Sequence, residues 1–184
     1  MKAAHDYAVS VVWEGDRGTG TSGYREYGRQ NLLTAQGPAP ILGSADTPFR
    51  GDRDRWNPEQ LLIASLAQCH LLSYLHVAVK NGIVVTGYTD DAVGRMVQEG
   101  EGGRFESVTL RPRVRVADES MVALAQTLHA EASRLCFIAN SVSFPVRARA
   151  DGGGGAELLG VSQRRSCGRA RLMRSTVPAG GDSL

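Results

Sequence analysis

From Gln60 to Val79 the chain carries no formal charge, a run close to the roughly 20 residues needed to cross a bilayer. Its leading edge is written as a helix start. Asn57 is a favoured N-cap, Pro58 suits the first helical position, and Gln60 sits where it can close a capping box. The helix is expected to run to Lys80-Asn81 and stop at Gly82, a residue that tolerates a left-handed turn. Gln60, Gln68, His70, Ser73, Tyr74 and His76 interrupt the apolar run, and no comparable stretch follows it. These features predict a helix buried in protein over most of its circumference, not a membrane anchor. The remaining elements must therefore supply apolar surface to cover it.

Strand patterns precede and follow that helix. Tyr7, Val9, Val11 and Trp13 alternate with smaller or polar residues, and Glu14-Gly15-Asp16-Arg17-Gly18 supplies a turn. A second strand is expected over Tyr24 to Leu33 and a short third one over Ala45 to Arg50, separated by Gly37-Pro38-Ala39-Pro40. Further on, Val108, Leu110, Val114 and Val116 share one strand face while Arg111, Arg113 and Arg115 share the other. A second helix starts at Asp118 as cap, with Met121, Leu124, Ala125, Leu128, Ala132 and Leu135 as its core stripe. Cys136 ends it, and a last strand follows with Val142, Phe144 and Val146 alternating. Helices segregated from antiparallel strands give an α+β class.

The charge balance narrows the function classes. The 184 residues hold 21 Lys+Arg against 19 Asp+Glu, a formal net charge of +2, too small for a nucleic-acid binder that relies on a strong basic field. The excess sits after residue 150, where five arginines face three acids and the run Gly152 to Gly155 appears. So little apolar surface cannot offset the entropy of ordering, so residues 151–184 are expected to be a disordered tail behind a domain of residues 1–150. The N-terminus, from Met1 to Glu14, has no apolar run of secretory-leader type, which points to a cytoplasmic setting.

The three cysteines are too few for a disulfide-stapled secreted scaffold. Cys69 is mid-helix, Cys136 ends the second helix, and Cys167 lies in the tail. No CxxC pair suggests a structural zinc site. Adjacent helical residues point about 100° apart, so Cys69-His70 is a poor nucleophile–base dyad. His76 shares a face with Cys69 but lies two turns away, roughly 10 Å along the axis. Read alone, two such cysteines are most often small buried apolar residues.

The combination of motifs narrows this choice. Phe49-Arg50-Gly51-Asp52, then Asn57-Pro58-Glu59-Gln60-Leu61-Leu62 leading to Ala67-Gln68-Cys69-His70, then Leu135-Cys136-Phe137-Ile138-Ala139-Asn140-Ser141-Val142 resembles the OsmC/Ohr family, the osmotically inducible and organic hydroperoxide resistance proteins. The resemblance spans roughly residues 5–150 and implies the OsmC-like fold: antiparallel sheets around a long central helix, with a second helix, in an intertwined homodimer. It further implies a thiol peroxidase acting on organic hydroperoxides with no haem, flavin or metal, reduced by an external dithiol such as a lipoyl-type one.

Carried over residue by residue, the resemblance makes Cys69 the peroxidatic thiol, Cys136 the resolving thiol that forms a disulfide with it, and Glu59 the carboxylate orienting an activating arginine. The family's arginine lies on an early strand before the helix, and here that region differs by a short insertion and Pro48. Arg50 is the candidate nearest the glutamate, Arg25 and Arg29 are alternatives, and Arg53 and Arg55 are expected to be solvated. Glu59 and Cys69 are about 15 Å apart along a straight helix, so a second subunit completing the site is the simpler arrangement. Apolar neighbours such as Leu66, Leu72, Leu75 and Phe137 would favour alkyl or lipid hydroperoxides over hydrogen peroxide. A second reading keeps the fold but binds a hydrophobic small molecule or thiol adduct without efficient turnover.

Overall fold

A computed structural model describes residues 3–149. The expected tail, with Cys167, lies outside the described residues. The elements run β1 (Ser10–Trp13), β2 (Asn31–Thr34), β3 (Ile41–Gly43), α1 (Pro58–Lys80), β4 (Val85–Asp90), β5 (Val93–Glu99), β6 (Gly102–Leu110), β7 (Pro112–Val116), α2 (Val122–Leu135) and β8 (Val146–Ala148). The α+β class is as the sequence indicates.

Strands β1, β2 and β3 form an antiparallel sheet in chain order. Only three residues of the expected second strand, Asn31 to Leu33, lie in β2, which ends one residue later at Thr34. The expected strand over Ala45 to Arg50 is instead a 3-10 turn at Thr47–Phe49, with the third strand placed earlier at Ile41–Gly43. Asp46 caps that turn by accepting the Thr47 N–H, and Pro48 within it has no N–H for a sheet ladder. Arg50 closes the turn in the left-handed region, φ 64°.

The loop into α1 is tied to this sheet. Trp56 donates its N–H to the Leu42 carbonyl and accepts from the Ser44 N–H. Asp52 accepts from the Gln30 side chain at 2.9 Å and the Ser44 hydroxyl at 2.8 Å. Gly51 makes this crossing possible, because a Cβ there would run into the Ala45 carbonyl. Gly51→Ala is therefore expected to cost about 2 kcal/mol, measured as a lower urea midpoint at unchanged slope.

The α1 capping box forms as expected. The Asn57 side chain accepts the Gln60 N–H at 2.8 Å, and the Gln60 side chain accepts the Asn57 N–H at 3.2 Å. Gly82 follows with φ 69°. Two cores meet this helix. Its second half (Tyr74, Val77, Ala78) packs with Ile83 and with Ala125, Leu128 and Ala132 of α2, and its first half packs Leu66 against Val108 and Leu110 of β6. Burial is nevertheless confined to one face, since Leu72 and Val79 are exposed. The expectation of burial over most of the circumference fails for the single chain.

The run from Val108 to Val116 is two strands. β6 pairs antiparallel with β5 and β7 with β4, and the break falls at Arg111, whose N–H goes to Asp90 Oδ1 at 2.7 Å. Alternation nonetheless keeps its phase across the break, so Val114 and Val116 face the other core. Asp118 caps a short 3-10 turn, and α2 proper begins at Val122. Ala125, Leu128 and Ala132 of its stripe are buried, whereas Met121, Leu124 and Leu135 are exposed. The last strand is shorter than expected and starts only at Val146. It runs parallel to β6, with Val142 and Phe144 packing beneath it as irregular chain.

Candidate functional site

The crossing of α1 and α2 sets which side chains can meet. Cys69 lies half-buried in the middle of α1, and Cys136 caps the C-terminus of α2 with 1% of its surface exposed. Both are free thiols, and the fold brings the Cys69 side chain close enough to Cys136 to act on its ionisation. After Cys136 the chain turns tightly around its sulfur. The Ala139 N–H reaches Cys136 Sγ at 3.4 Å, and the Asn140 N–H donates to the Cys136 carbonyl. Two side chains hold this turn closed, Asn140 by donating to the Arg134 carbonyl at 3.0 Å and Ser141 to the Phe137 carbonyl at 2.8 Å.

The two sulfurs differ in surroundings. Burial pushes the Cys136 thiol up to about 11; the neighbouring Cys69 side chain adds to this, and backbone N–H groups after Cys136 oppose it. Cys136 therefore keeps its proton at neutral pH. Cys69, on the more open side, is the accessible member of the pair.

Glu59 occupies the first turn of α1, where its negative charge favours the helix N-terminus. Its Oε2 is buried without a hydrogen-bond partner among the described residues. Arg50 is not brought to it: Arg50 is exposed, and among the described residues the ion pairs include neither Arg50 nor Glu59. Arg29 is engaged elsewhere, donating to the Tyr24 and Tyr27 carbonyls with its guanidinium 4.1 Å from the Tyr27 ring centroid. Arg25 is exposed, its carbonyl taken by Arg17. Arg53 is exposed as expected, but Arg55 is not a free solvated charge: it pairs with Glu14 at 3.6 Å and donates to the Asn31 carbonyl. Of the apolar neighbours, Leu66 belongs to the core, while Leu72 and Phe137 are exposed.

A polar cluster beside Cys69 was not singled out from sequence. His70 Nε2 and His129 Nδ1 lie 3.1 Å apart with both rings buried, and the Tyr74 hydroxyl donates to the Ala125 carbonyl at 3.0 Å. His70 thus points into the α1–α2 interface, away from the sulfur, as helical geometry requires. The signal for His129 was its spacing: with Ala125, Leu128 and Ala132 it falls on the buried stripe of α2.

A profile of the family described as OsmC-like protein matches residues 51–150. The chain belongs to the OsmC-like family. Among solved structures, an OsmC-like protein of unknown function from Vibrio cholerae O1 biovar eltor shares 28% identity at a TM-score of 0.70, covering 79% of this chain and 99% of that one. An organic hydroperoxide resistance protein OsmC from Legionella pneumophila shares 17% identity at a TM-score of 0.59, covering 81% of this chain and 100% of the other. An organic hydroperoxide resistance protein from Elizabethkingia anophelis has 18% identity and a TM-score of 0.59, covering 82% and 100%. At such identities the latter two show the OsmC fold alone. No curated protein sequence matches.

Proposed function

We propose that this OsmC-family protein is a cysteine-based reductase of organic hydroperoxides, cycling between two thiols and a Cys69–Cys136 disulfide. The observation that carries the reading is the apposition of an accessible Cys69 and a buried, protonated Cys136 from two different helices. The Cys69 thiolate attacks the terminal oxygen of the hydroperoxide, the O–O bond breaks, and the departing alkoxide takes a proton to become the alcohol. Cys69 is left as a sulfenic acid. Cys136 sulfur then attacks Cys69 sulfur, the S–O bond breaks, and hydroxide leaves with the Cys136 proton as water. An external dithiol of lipoyl type returns the disulfide to two thiols by exchange. The protein needs no metal or organic cofactor for these steps.

The unpartnered Glu59 oxygen needs a cation to complete the site, and a second copy of the chain is its proposed source. Two surfaces support a homodimer. Val11, Val12 and Trp13 on β1 are exposed, as are Tyr7 and Val9 before it, and α1 leaves Leu72 and Val79 uncovered. Large apolar side chains left exposed in this number are a feature of interaction sites. Sedimentation from micromolar to nanomolar protein is expected to show a dimer, with hydroperoxide turnover lost where it dissociates. A stable, active monomer would overturn the shared site. Localisation in the cytoplasm, where thiols are kept reduced, suits such a cycle.

Titration of free thiols tests the chemistry directly. Adding one equivalent of cumene hydroperoxide to the reduced protein should remove two thiols per chain, with the Cys69–Cys136 linkage found by peptide mapping. No thiol loss would leave the alternative, an OsmC-like protein that binds a hydrophobic molecule or thiol adduct without turnover.

A further inference from the structure

The turn Cys136-Phe137-Ile138-Ala139-Asn140-Ser141 closes over one sulfur atom. The Ala139 N–H donates to Cys136 Sγ at 3.4 Å. Two side chains fix that donor: Asn140 reaches back to the Arg134 carbonyl at 3.0 Å, and Ser141 donates to the Phe137 carbonyl at 2.8 Å. The bond from the Asn140 N–H to the Cys136 carbonyl completes the turn. Cys136 keeps 1% of its surface exposed, whereas Cys69 is only half-buried. The two sulfurs of the proposed disulfide therefore differ in access, and the less accessible one carries a backbone donor. That difference decides how the disulfide is opened.

We propose that the external dithiol enters the cycle at Cys69 sulfur, and that the Ala139 N–H stabilises the charge developing on Cys136 sulfur as it leaves. The inference rests on the peroxidase reading, which supplies the Cys69–Cys136 disulfide, and adds the direction in which it is opened. A thiolate attacks in line with the S–S bond, from the side away from the leaving sulfur, so the attacked sulfur must be reachable. Around Cys136 that space is taken by its own turn. The reductant thiolate bonds to Cys69 sulfur and the S–S bond breaks. Cys136 sulfur departs with the electron pair and takes up the proton that the reductant thiol gave to water. The second reductant thiol then attacks the reductant's own sulfur in the mixed disulfide, which frees Cys69 and leaves the reductant as its disulfide. Burial disfavours a thiolate at Cys136, and a more basic thiolate leaves more slowly. Donation to an anion is stronger than donation to a neutral sulfur, so the Ala139 N–H acts most strongly as the S–S bond breaks. Asn140 and Ser141 act through that N–H and are positioning residues.

Sulfite is the probe, because sulfitolysis leaves an S-sulfonate on the attacked sulfur and a thiol on the other. The full chain carrying Cys167→Ser is oxidised with diamide, treated with sulfite and quenched in acid, and its free thiol is alkylated after denaturation. Peptide masses then give the ratio of sulfonate on Cys69 to sulfonate on Cys136. One hydrogen bond to a charged group is worth at least about ten-fold, and access acts in the same direction, so the ratio should exceed about ten to one. In the Asn140→Ala, Ser141→Ala double variant the turn loosens, Cys136 sulfur opens and loses its donor, and the ratio should fall towards one. Thermal melts check that this variant folds; if it does not, Ser141→Ala alone, which keeps one anchor, should show a smaller fall. A merely structural role would lower the melting temperature and leave the ratio unchanged. A wild-type ratio near one or favouring Cys136, or a ratio unmoved in a folded variant, would overturn the proposal. No disulfide with diamide would overturn this proposal and the peroxidase reading together. Failure of the peroxidase reading alone looks different: hydroperoxide removes no thiols, while diamide and sulfite still report the direction of opening.

Discussion

Cys69→Ser is expected to abolish hydroperoxide consumption, lowering the dithiol-supported rate by at least about 10⁴-fold, as removal of a covalent nucleophile does. Serine oxygen is a poor nucleophile toward an O–O bond and cannot carry the sulfenic intermediate. Cys69 is only half-buried, so the exchange should change stability by less than about 1 kcal/mol, and the melting curve should be nearly superimposable. Cys136→Ser should behave differently. Without reductant it should consume one equivalent of hydroperoxide per chain and stop at a Cys69 sulfenic acid, which dimedone captures. The readouts are hydroperoxide remaining and the mass of the Cys69 peptide. Retention of even a tenth of wild-type turnover in Cys69→Ser would remove that residue from the proposed cycle. A Cys136→Ser protein with no dimedone adduct would remove the sulfenic step.

What the sequence made legible was what local chemistry decides. The Asn57–Gln60 capping box and the Gly82 stop each depend on residues a few positions apart, and both formed as read. The pairing of Cys69 with Cys136 across 67 positions was accessible only through the family resemblance, because no local rule links two helices. The misplaced third strand had a local cause: Asp46 and Pro48 favour a capped turn over extension. Arg50 and Glu59 are not brought together among the described residues. Nearness in sequence to Glu59 does not imply nearness in space when a 3-10 turn and the Asp52-anchored loop intervene. The uncovered face of α1 was equally unreadable, since a sequence shows that a face is apolar but not which chain buries it. His70 finds its hydrogen-bond partner in His129, 59 positions away, which no local pattern reveals.

Acidification is expected to unfold this protein through the His70–His129 pair. The rings stack with centroids 5.4 Å apart, and Tyr74 covers His129 at 4.4 Å. Burial lowers both imidazoles, taking His129 from 6.5 to about 4 with help from the neighbouring His70 charge. A depressed histidine binds its proton more readily in the unfolded chain, so stability rises with pH between the two values. The contribution of His129 is fully present above about pH 6.5, declines as pH falls, and is gone below about pH 4. A displacement of that size corresponds to roughly 3 kcal/mol, a large part of the stability of a small domain. Urea midpoints should therefore drop steadily from pH 6.5 to pH 5, a window in which ordinary carboxylates stay mostly ionised. His129→Gln keeps hydrogen-bonding capacity without titrating near neutrality, and should reduce that slope by at least half. An unchanged slope would place the acid sensitivity elsewhere. The pair also joins α1, one residue after Cys69, to the helix that ends in Cys136. Loss of the contact in acid should therefore slow disulfide closure before the fold is lost, visible as dimedone-reactive Cys69 persisting in the wild-type chain near pH 5.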